Sequence, residues 1–408
     1  MIKGIKSIKK KLLSPLHEFL KDSRAVGIVL IICTFISMVI ANSSWQEPYL
    51  AFWETAIHSP FPSLELPHTL LHWINDGFMV LFFFLVGMEI KRELTVGELS
   101  SIKKSLLPVL AAAGGMVFPA GIFAIFNGGG PYAHGWGIPM ATDIAFSLGI
   151  LSLLGKRVPV SLKIFLTALA IIDDLGAILT IAVFYTDEIK LAYLLGGAGI
   201  LALLAALNLL KVKRLFFYFL PGIILWYCIF NSGIHATIAG VLLAFCIPND
   251  KLSDLIHNLH DPVNFLIMPV FALANTAIVF PPDLVQVFLS SISYGVLAGL
   301  VIGKPLGIFI LSYLATKLKL AARPGKASWA QLVGVGMIAG IGFTMSIFIS
   351  TLAYSEAELQ VISKMAVILA SLIAGLLGFI FLRLLPAPVA HPAFATPGDA
   401  GEEDEEEE

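Results

Sequence analysis

The chain has 408 residues, 58% of them hydrophobic and only 13% charged, with a mean hydropathy of +0.89 and a formal net charge of −2. That balance excludes a water-soluble globule and leaves a polytopic membrane protein, with the lipid bilayer as its medium and no nucleic-acid partner expected.

In chain order, residues 1–24 are a basic segment running from Lys3 to Arg24. It is long for the charged region of a cleaved leader, and the next apolar run is only the first of many, so an uncleaved first helix is expected. Twelve apolar segments then follow, at 25–43, 69–90, 105–126, 132–153, 160–184, 191–210, 215–231, 233–248, 262–281, 289–315, 330–353 and 362–385. They are continuous runs, not alternating stretches of about ten residues, which predicts transmembrane helices and excludes a barrel. The expected fold class is an all-α polytopic membrane protein, with a twelve-helix transport domain over residues 25–385.

Lys and Arg are retained on the cytoplasmic side. Threading the chain through twelve crossings puts the N-terminal segment, Arg383 and the loops bearing Lys91 and Arg92, Lys156 and Arg157, Lys211 to Arg214, Lys251, and Lys317 to Lys326 on one side. Of the 26 basic residues, only Lys190 and Lys364 fall on the other side and Lys304 within a span. Both termini are therefore expected in the cytoplasm. Residues 386–408 end in the acidic block Gly401 to Glu408, a like-charge tail expected to be disordered. Cys33, Cys228 and Cys246 lie in apolar runs without metal or redox spacing and read as small buried hydrophobes.

Asp173 and Asp174 stand in the middle of Ile164 to Phe184, a segment otherwise apolar except for Thr167 and Thr180. An ionisable group at that depth costs at least about 2.5–3.5 kcal/mol on insertion scales and usually marks an ion path or proton relay. A helix end would be the plainer reading, but the apolar flanks on both sides argue against it. Asp143 in the fourth segment and Lys304 in the tenth complete the set, so three acids share one base. Neighbouring helical residues point about 100° apart, so one of the tandem acids can pair with Lys304 while the other faces a water-filled cavity. Burial disfavours the charged form and a nearby ammonium favours it, which makes the unpaired acid the readier proton acceptor. Such a carboxylate binds a proton or a hard cation, and the absence of Cys or paired His argues against a transition metal.

Two other chemistries drop out. Gly299 to Pro305 is one residue short of a phosphate loop, has Pro305 in place of the hydroxyl residue, and lies inside a membrane helix. An intramembrane aspartyl protease would share a proton between close carboxylates, for which Asp143 and one of the tandem pair are candidates, but the Gly-x-Gly-Asp pattern is absent. No enzyme activity is expected.

Two segments read as interrupted helices. Gly135, Gly137 and Pro139 weaken the fourth ahead of Thr142 and Asp143, and Gly336, Gly340 and Gly342 weaken the eleventh ahead of Thr344. Each is the middle member of a triplet, helices 3–5 and 10–12, and the triplets start on opposite sides of the membrane. That pattern predicts an inverted repeat with a binding site at the midplane. Glycine for tight packing is the alternative.

These features sit within Gly87-Met-Glu-Ile-Lys-Arg-Glu-Leu94, Ala141-Thr-Asp-Ile-Ala-Phe146, Ala170-Ile-Ile-Asp-Asp-Leu-Gly-Ala-Ile178, His235-Ala-Thr-Ile-Ala-Gly-Val241, Gly303-Lys-Pro-Leu-Gly307 and Gly340-Ile-Gly-Phe-Thr-Met-Ser346. In that order and over nearly the whole chain they resemble the NhaA family of sodium/proton antiporters, itself a type case of the inverted-repeat rule. The resemblance implies electrogenic exchange of one Na⁺, or Li⁺, for two protons across a bacterial inner membrane, in the service of Na⁺ extrusion and pH homeostasis. It also implies a homodimer touching through the outer loop Asn42 to His68, and no cofactor. It places Asp173 and Asp174 at the Na⁺ and proton site, Asp143 and Thr142 at the crossing of the broken helices, and Lys304 beside Asp173. Interrupted helices present positive N-terminal and negative C-terminal half-ends, which Asp143 and Lys304 can respectively offset.

The family associates the Glu89 region with pH response, and Glu89 and Arg92 have i,i+3 ion-pair spacing. His235 titrates in a suitable range, although a lone His at a helix start more often caps or packs. One departure is Ile256, which stands where family members carry a Glu in the pH-sensing cluster. A Na⁺-coupled organic anion symporter on the same scaffold is the alternative function, and a passive cation channel the third.

Overall fold

The computed structural model describes residues 23–58, 64–186, 188–325 and 327–386. Most of the basic N-terminal segment, residues 59–63 of the outer loop and the acidic tail from 387 lie outside them. Among the described residues the chain is helical, and β pairing is confined to one isolated bridge between Ala56 and Thr69.

The main helices are α1 (Ser23–Ala41), α2 (Leu70–Thr95), α3 (Ile102–Asn127), α4 (Ile144–Leu153), α5 (Val160–Phe184), α6 (Leu191–Leu209), α7 (Phe216–Phe230), α8 (Ile238–Cys246), α9 (Asn249–Pro262), α10 (Met268–Asn275), α11 (Ser291–Lys317), α12 (Trp329–Ala339), α13 (Phe343–Ala353) and α14 (Ala357–Leu384). Ala133–Met140, a 3₁₀ run, leads into α4. Among the described residues seven spans are long and apolar enough to cross a membrane, counting Ala133–Leu153 as one, and α12 with α13, bent by 47°, makes an eighth. α1 and α7 are apolar but shorter. The segment expected at 233–248 forms a helix only over the nine residues of α8, which ends before Pro248. The segment at 262–281 continues α9 through a π-helical run, Val263–Ile267, into α10.

Small residues bring the site-bearing helices together. An ideal Cβ on Gly307 of α11 would stand 2.1 Å from the carbonyl oxygen of Gly114 on α3, and one on Gly114 would stand 2.1 Å from that of Gly307. Only glycine at both places lets these backbones touch, as in small-residue membrane packing generally. Lys304 lies one turn before Gly307, so this contact carries its side chain fully into the interior. The C-terminal end of α8 is held differently: Lys91 of α2 donates to the carbonyls of Phe245, at 2.8 Å, and Ile247, and Asn208 of α6 donates to that of Cys246 at 2.7 Å.

Gly307→Ala should therefore force α3 and α11 apart and destabilise the fold by about 1–3 kcal/mol, the usual scale for overpacking. A lowered melting temperature of the purified variant is the expected outcome, and an unchanged one overturns the contact.

Candidate functional site

Two interrupted elements cross inside the protein. The first passes from the 3₁₀ run into α4 through Ala141–Asp143, which is extended at Ala141 (φ −77°, ψ 153°) and at Asp143 (φ −83°, ψ 103°). The second passes from α12 to α13 through Gly340–Gly342. Their backbones meet where the Asp143 amide donates to the Ile341 carbonyl at 2.7 Å.

Asp143 serves the N-terminal ends of both. Its Oδ1 accepts from the Phe146 amide at 2.9 Å, capping α4, and its Oδ2 accepts from the Thr344 amide at 3.2 Å and from the Thr344 hydroxyl, capping α13. A carboxylate between two positive helix ends is a favourable arrangement. The C-terminal ends divide their needs. Lys304 Nζ donates to the Met140 carbonyl of the first, while the Thr142 hydroxyl lies 2.9 Å from the Ala339 carbonyl and the Ser147 hydroxyl 3.1 Å from the Ile338 carbonyl of the second. Ser346 returns the favour, donating to the Ile138 carbonyl at 2.7 Å.

Lys304 also meets Asp173 Oδ2 at 2.5 Å, with both side chains fully buried. The Thr142 hydroxyl stands 2.7 Å from the same oxygen, and since it carries one proton it can donate either there or to Ala339, not to both. Asp174 faces away from this pair, as the 100° step along α5 requires, into a cavity of about 160 Å³. Glu89, His260, Asn264, Asp143 and Thr344 line the same cavity. Asp173 Oδ1 and Asp174 Oδ1 are buried with no hydrogen-bond partner among the described residues. Unpartnered carboxylate oxygens of this kind are hard donors suited to a proton or a small cation. No cluster of three or more His, Cys, Asp and Glu among the described residues is arranged to hold a resident metal.

The broken-helix glycines do more than weaken helices. Gly340 and Gly342 stand at the break, where an ideal Cβ would lie 2.4 Å from the Leu300 carbonyl oxygen and 2.1 Å from Ser346 Oγ respectively. Gly135 and Gly137 instead lie in the 3₁₀ run and make room for two tyrosine hydroxyls, those of Tyr354 and Tyr185. Pro139 packs against Gly299, where a Cβ would stand 2.7 Å from the proline ring. Glu89 lines the cavity, but its expected pairing with Arg92 is not the ion pair formed: Arg92 Nη2 lies 3.5 Å from Glu93 Oε1. Glu89 turns inward toward the cavity, whereas Arg92 stays part-exposed at the helix end. Ile256 is buried in the core, and Asp254 nearby is exposed and outside the cavity lining.

His235 lies elsewhere. Its Nε2 is 3.0 Å from Asp76 Oδ1 and its Nδ1 is 2.8 Å from the Thr237 hydroxyl, while His72 Nε2 is 2.9 Å from Asp76 Oδ2. Asp76 is a buried membrane acid that sequence reading missed. Its place near the start of α2 looks like a solvated helix end, and the only signal was His72 four residues before it.

Comparison with known proteins agrees with this geometry. The family model described as Na⁺/H⁺ antiporter 1 matches residues 17–382. "Na(+)/H(+) antiporter NhaA 2" of Flavobacterium johnsoniae is 51% identical over 372 residues, covering 90% of this chain and 91% of its own. "Na(+)/H(+) antiporter NhaA" of Cytophaga hutchinsonii is 50% identical over 373 residues, covering 90% and 94%. The protein of the same name from Helicobacter pylori strain G27 is 41% identical over 430 aligned positions, covering 94% and 98%.

Removing one member of a buried ion pair typically costs about 3–5 kcal/mol because the other charge is stranded. Lys304→Ala should accordingly melt well below the wild type, and adding Asp173→Asn should recover part of the loss by removing that charge. Equal melting temperatures for wild type and Lys304→Ala would count against the pairing.

Proposed function

The chain belongs to the Na⁺/H⁺ antiporter 1 family, and from that premise we propose that it is an electrogenic secondary antiporter, exchanging one cytoplasmic Na⁺ or Li⁺ for two external protons. In this reading it crosses a bacterial inner membrane twelve times with both termini in the cytoplasm, works as a homodimer, and serves Na⁺ extrusion and pH homeostasis. The inverted repeat of helices 3–5 and 10–12 is supported by the two backbone breaks. Hydroxyls of the first segment, Thr142 and Ser147, approach carbonyls of the second, and Thr344 and Ser346 of the second reach the first.

The observation that carries the function is the position of Asp174. It lines a cavity with one oxygen unpartnered, next in the chain to an Asp173 held by Lys304. A cytoplasmic cation entering past Glu89 and His260 would meet Asp174 first, then Asp173 Oδ1 and the Thr142 hydroxyl. Protons arriving from the other side would compete for the same oxygens. Asp143, with both oxygens engaged by helix ends, acts as charge compensation more than as a carrier. Its engagement also disfavours a proton-sharing protease dyad. An organic anion would find carboxylates lining the cavity and Lys304 already paired, which disfavours the symporter.

Asp174→Asn keeps the side-chain shape but cannot bind and release a proton. In proteoliposomes with an imposed Na⁺ gradient and an internal pH dye, this variant should show no Na⁺-driven proton flux while melting like the wild type. Wild-type flux from it would sink the site.

Two protons inward for one Na⁺ outward move one net charge inward per cycle, worth about 2.3 kcal/mol per 100 mV. A potassium-valinomycin potential, negative inside, should thus accelerate Na⁺ extrusion. Acidification should raise the apparent KM for Na⁺, by up to about tenfold per pH unit where one proton competes for the site. A rate indifferent to potential would refute the two-for-one ratio, and a KM independent of pH would refute competition.

A further inference from the structure

The end of the first broken segment away from the cavity is held by two tyrosine hydroxyls. Tyr185, which directly follows α5, donates to the His134 carbonyl at 2.7 Å and accepts from the Gly137 amide at 3.3 Å. Tyr354, which directly follows α13, donates to the Tyr132 carbonyl at 2.9 Å. The two hydroxyls therefore come from the ends of the helices that carry Asp173, Asp174 and Thr344, and both land on the segment that leads to Thr142 and Asp143.

Local sequence is shaped to this contact. An ideal Cβ would stand 2.7 Å from the Tyr185 hydroxyl at Gly137 and 2.1 Å from the Tyr354 hydroxyl at Gly135, so side chains there would displace the tyrosines. None of these residues lines the cavity that reaches Asp174. At one face of the crossing, then, the three site-bearing elements are bound together by hydroxyl-to-carbonyl bonds, and at the other a cavity parts them.

We infer that Tyr185 and Tyr354 are positioning residues that latch the outer face: their hydroxyls hold the outer ends of α5 and α13 on the 3₁₀ segment while Asp174 faces the cytoplasm, and release when it faces outside. This rests on the antiport reading, with the outer face taken as the one opposite the basic loops. A conformational equilibrium biased by one neutral hydrogen bond shifts about two- to tenfold when the bond is lost. Phe at either position keeps the ring and removes only the hydroxyl.

The test uses the full chain in proteoliposomes, as wild type, Tyr185→Phe, Tyr354→Phe and the double variant, with Na⁺ offered on either side. Tyr354→Phe, which loses one bond, should raise the KM for cytoplasmic Na⁺ by about two- to tenfold and lower that for external Na⁺, and Tyr185→Phe, which loses two, should do so at least as strongly. The double variant should show roughly the product, and melting temperatures should stay close to wild type. Both KM values unchanged, or both moved the same way together with a lower melting temperature, would overturn the latch in favour of simple packing. Hydrogen exchange provides a readout independent of transport: amides 132–137 should exchange faster in the Phe variants, and unchanged protection overturns the latch whatever the flux. Absence of Na⁺-driven flux in the wild type would instead overturn the antiport reading.

Discussion

Irregular backbone within a membrane protein is tolerated only where its freed polar groups find partners inside the protein. Every feature of the site follows from how this chain meets that constraint at Ala141–Asp143 and Gly340–Gly342. Asp143 satisfies the amide ends of α4 and α13 together, a task that consumes both of its oxygens. The carbonyl ends fall to Lys304 and to the hydroxyls of Thr142, Ser147 and Ser346. Once those assignments are made, Asp174 is the aspartate of the three that lines the cavity with an oxygen left unpartnered. The division of labour among three aspartates that look alike in sequence is thus imposed by helix ends.

Lys304 answers two demands at once. It neutralises a carbonyl end and holds Asp173 as an ion pair, with no exposure of either side chain. Burying two charges is costly, and the pair is tolerable only because additional hydrogen bonds complete it. The Thr142 hydroxyl belongs to that completion, yet it has a single proton for Asp173 and Ala339. Its orientation must depend on what occupies the carboxylate. A cation or proton at Asp173 favours donation to Ala339, while a bare carboxylate draws the hydroxyl toward itself.

What the sequence made legible was whatever periodicity and polarity encode locally. Continuous apolar runs marked the helices, and lone charges within them marked Asp143, Asp173, Asp174 and Lys304, the last of which lies 2.5 Å from Asp173. Information that depends on what lies opposite was not legible. Arg92 chose Glu93 over Glu89 because of where each side chain points, not because of spacing. Asp76 escaped notice because it reads as a helix-end acid and its second partner, His235, reaches it from a distant segment. Gly135 and Gly137 read as helix breakers because nothing near them announces Tyr354 and Tyr185. Helix length was also overread at 233–248, where only α8 is helical.

The two faces of the crossing are closed by different chemistry, and the difference bears on how such a protein could move. Toward Glu89 and His260 a mostly apolar cavity with a few polar groups already reaches Asp174 and Asp143. Toward the other face, Phe348 packs against Phe83 at 5.4 Å and Phe271 at 6.1 Å between ring centres, with the His235 ring at 5.2 Å. The 3₁₀ segment is held by the neutral hydrogen bonds of Tyr185 and Tyr354. Among the described residues these neutral hydrogen bonds join α5 and α13 to the 3₁₀ segment there, while the His235–Asp76–His72 contacts lie against Phe348. Apolar contacts and neutral hydrogen bonds are individually weak and nearly isoenergetic on rearrangement, whereas a buried ion pair is not. That contrast sets the fully buried pair of Lys304 and Asp173 apart from the weaker contacts around it.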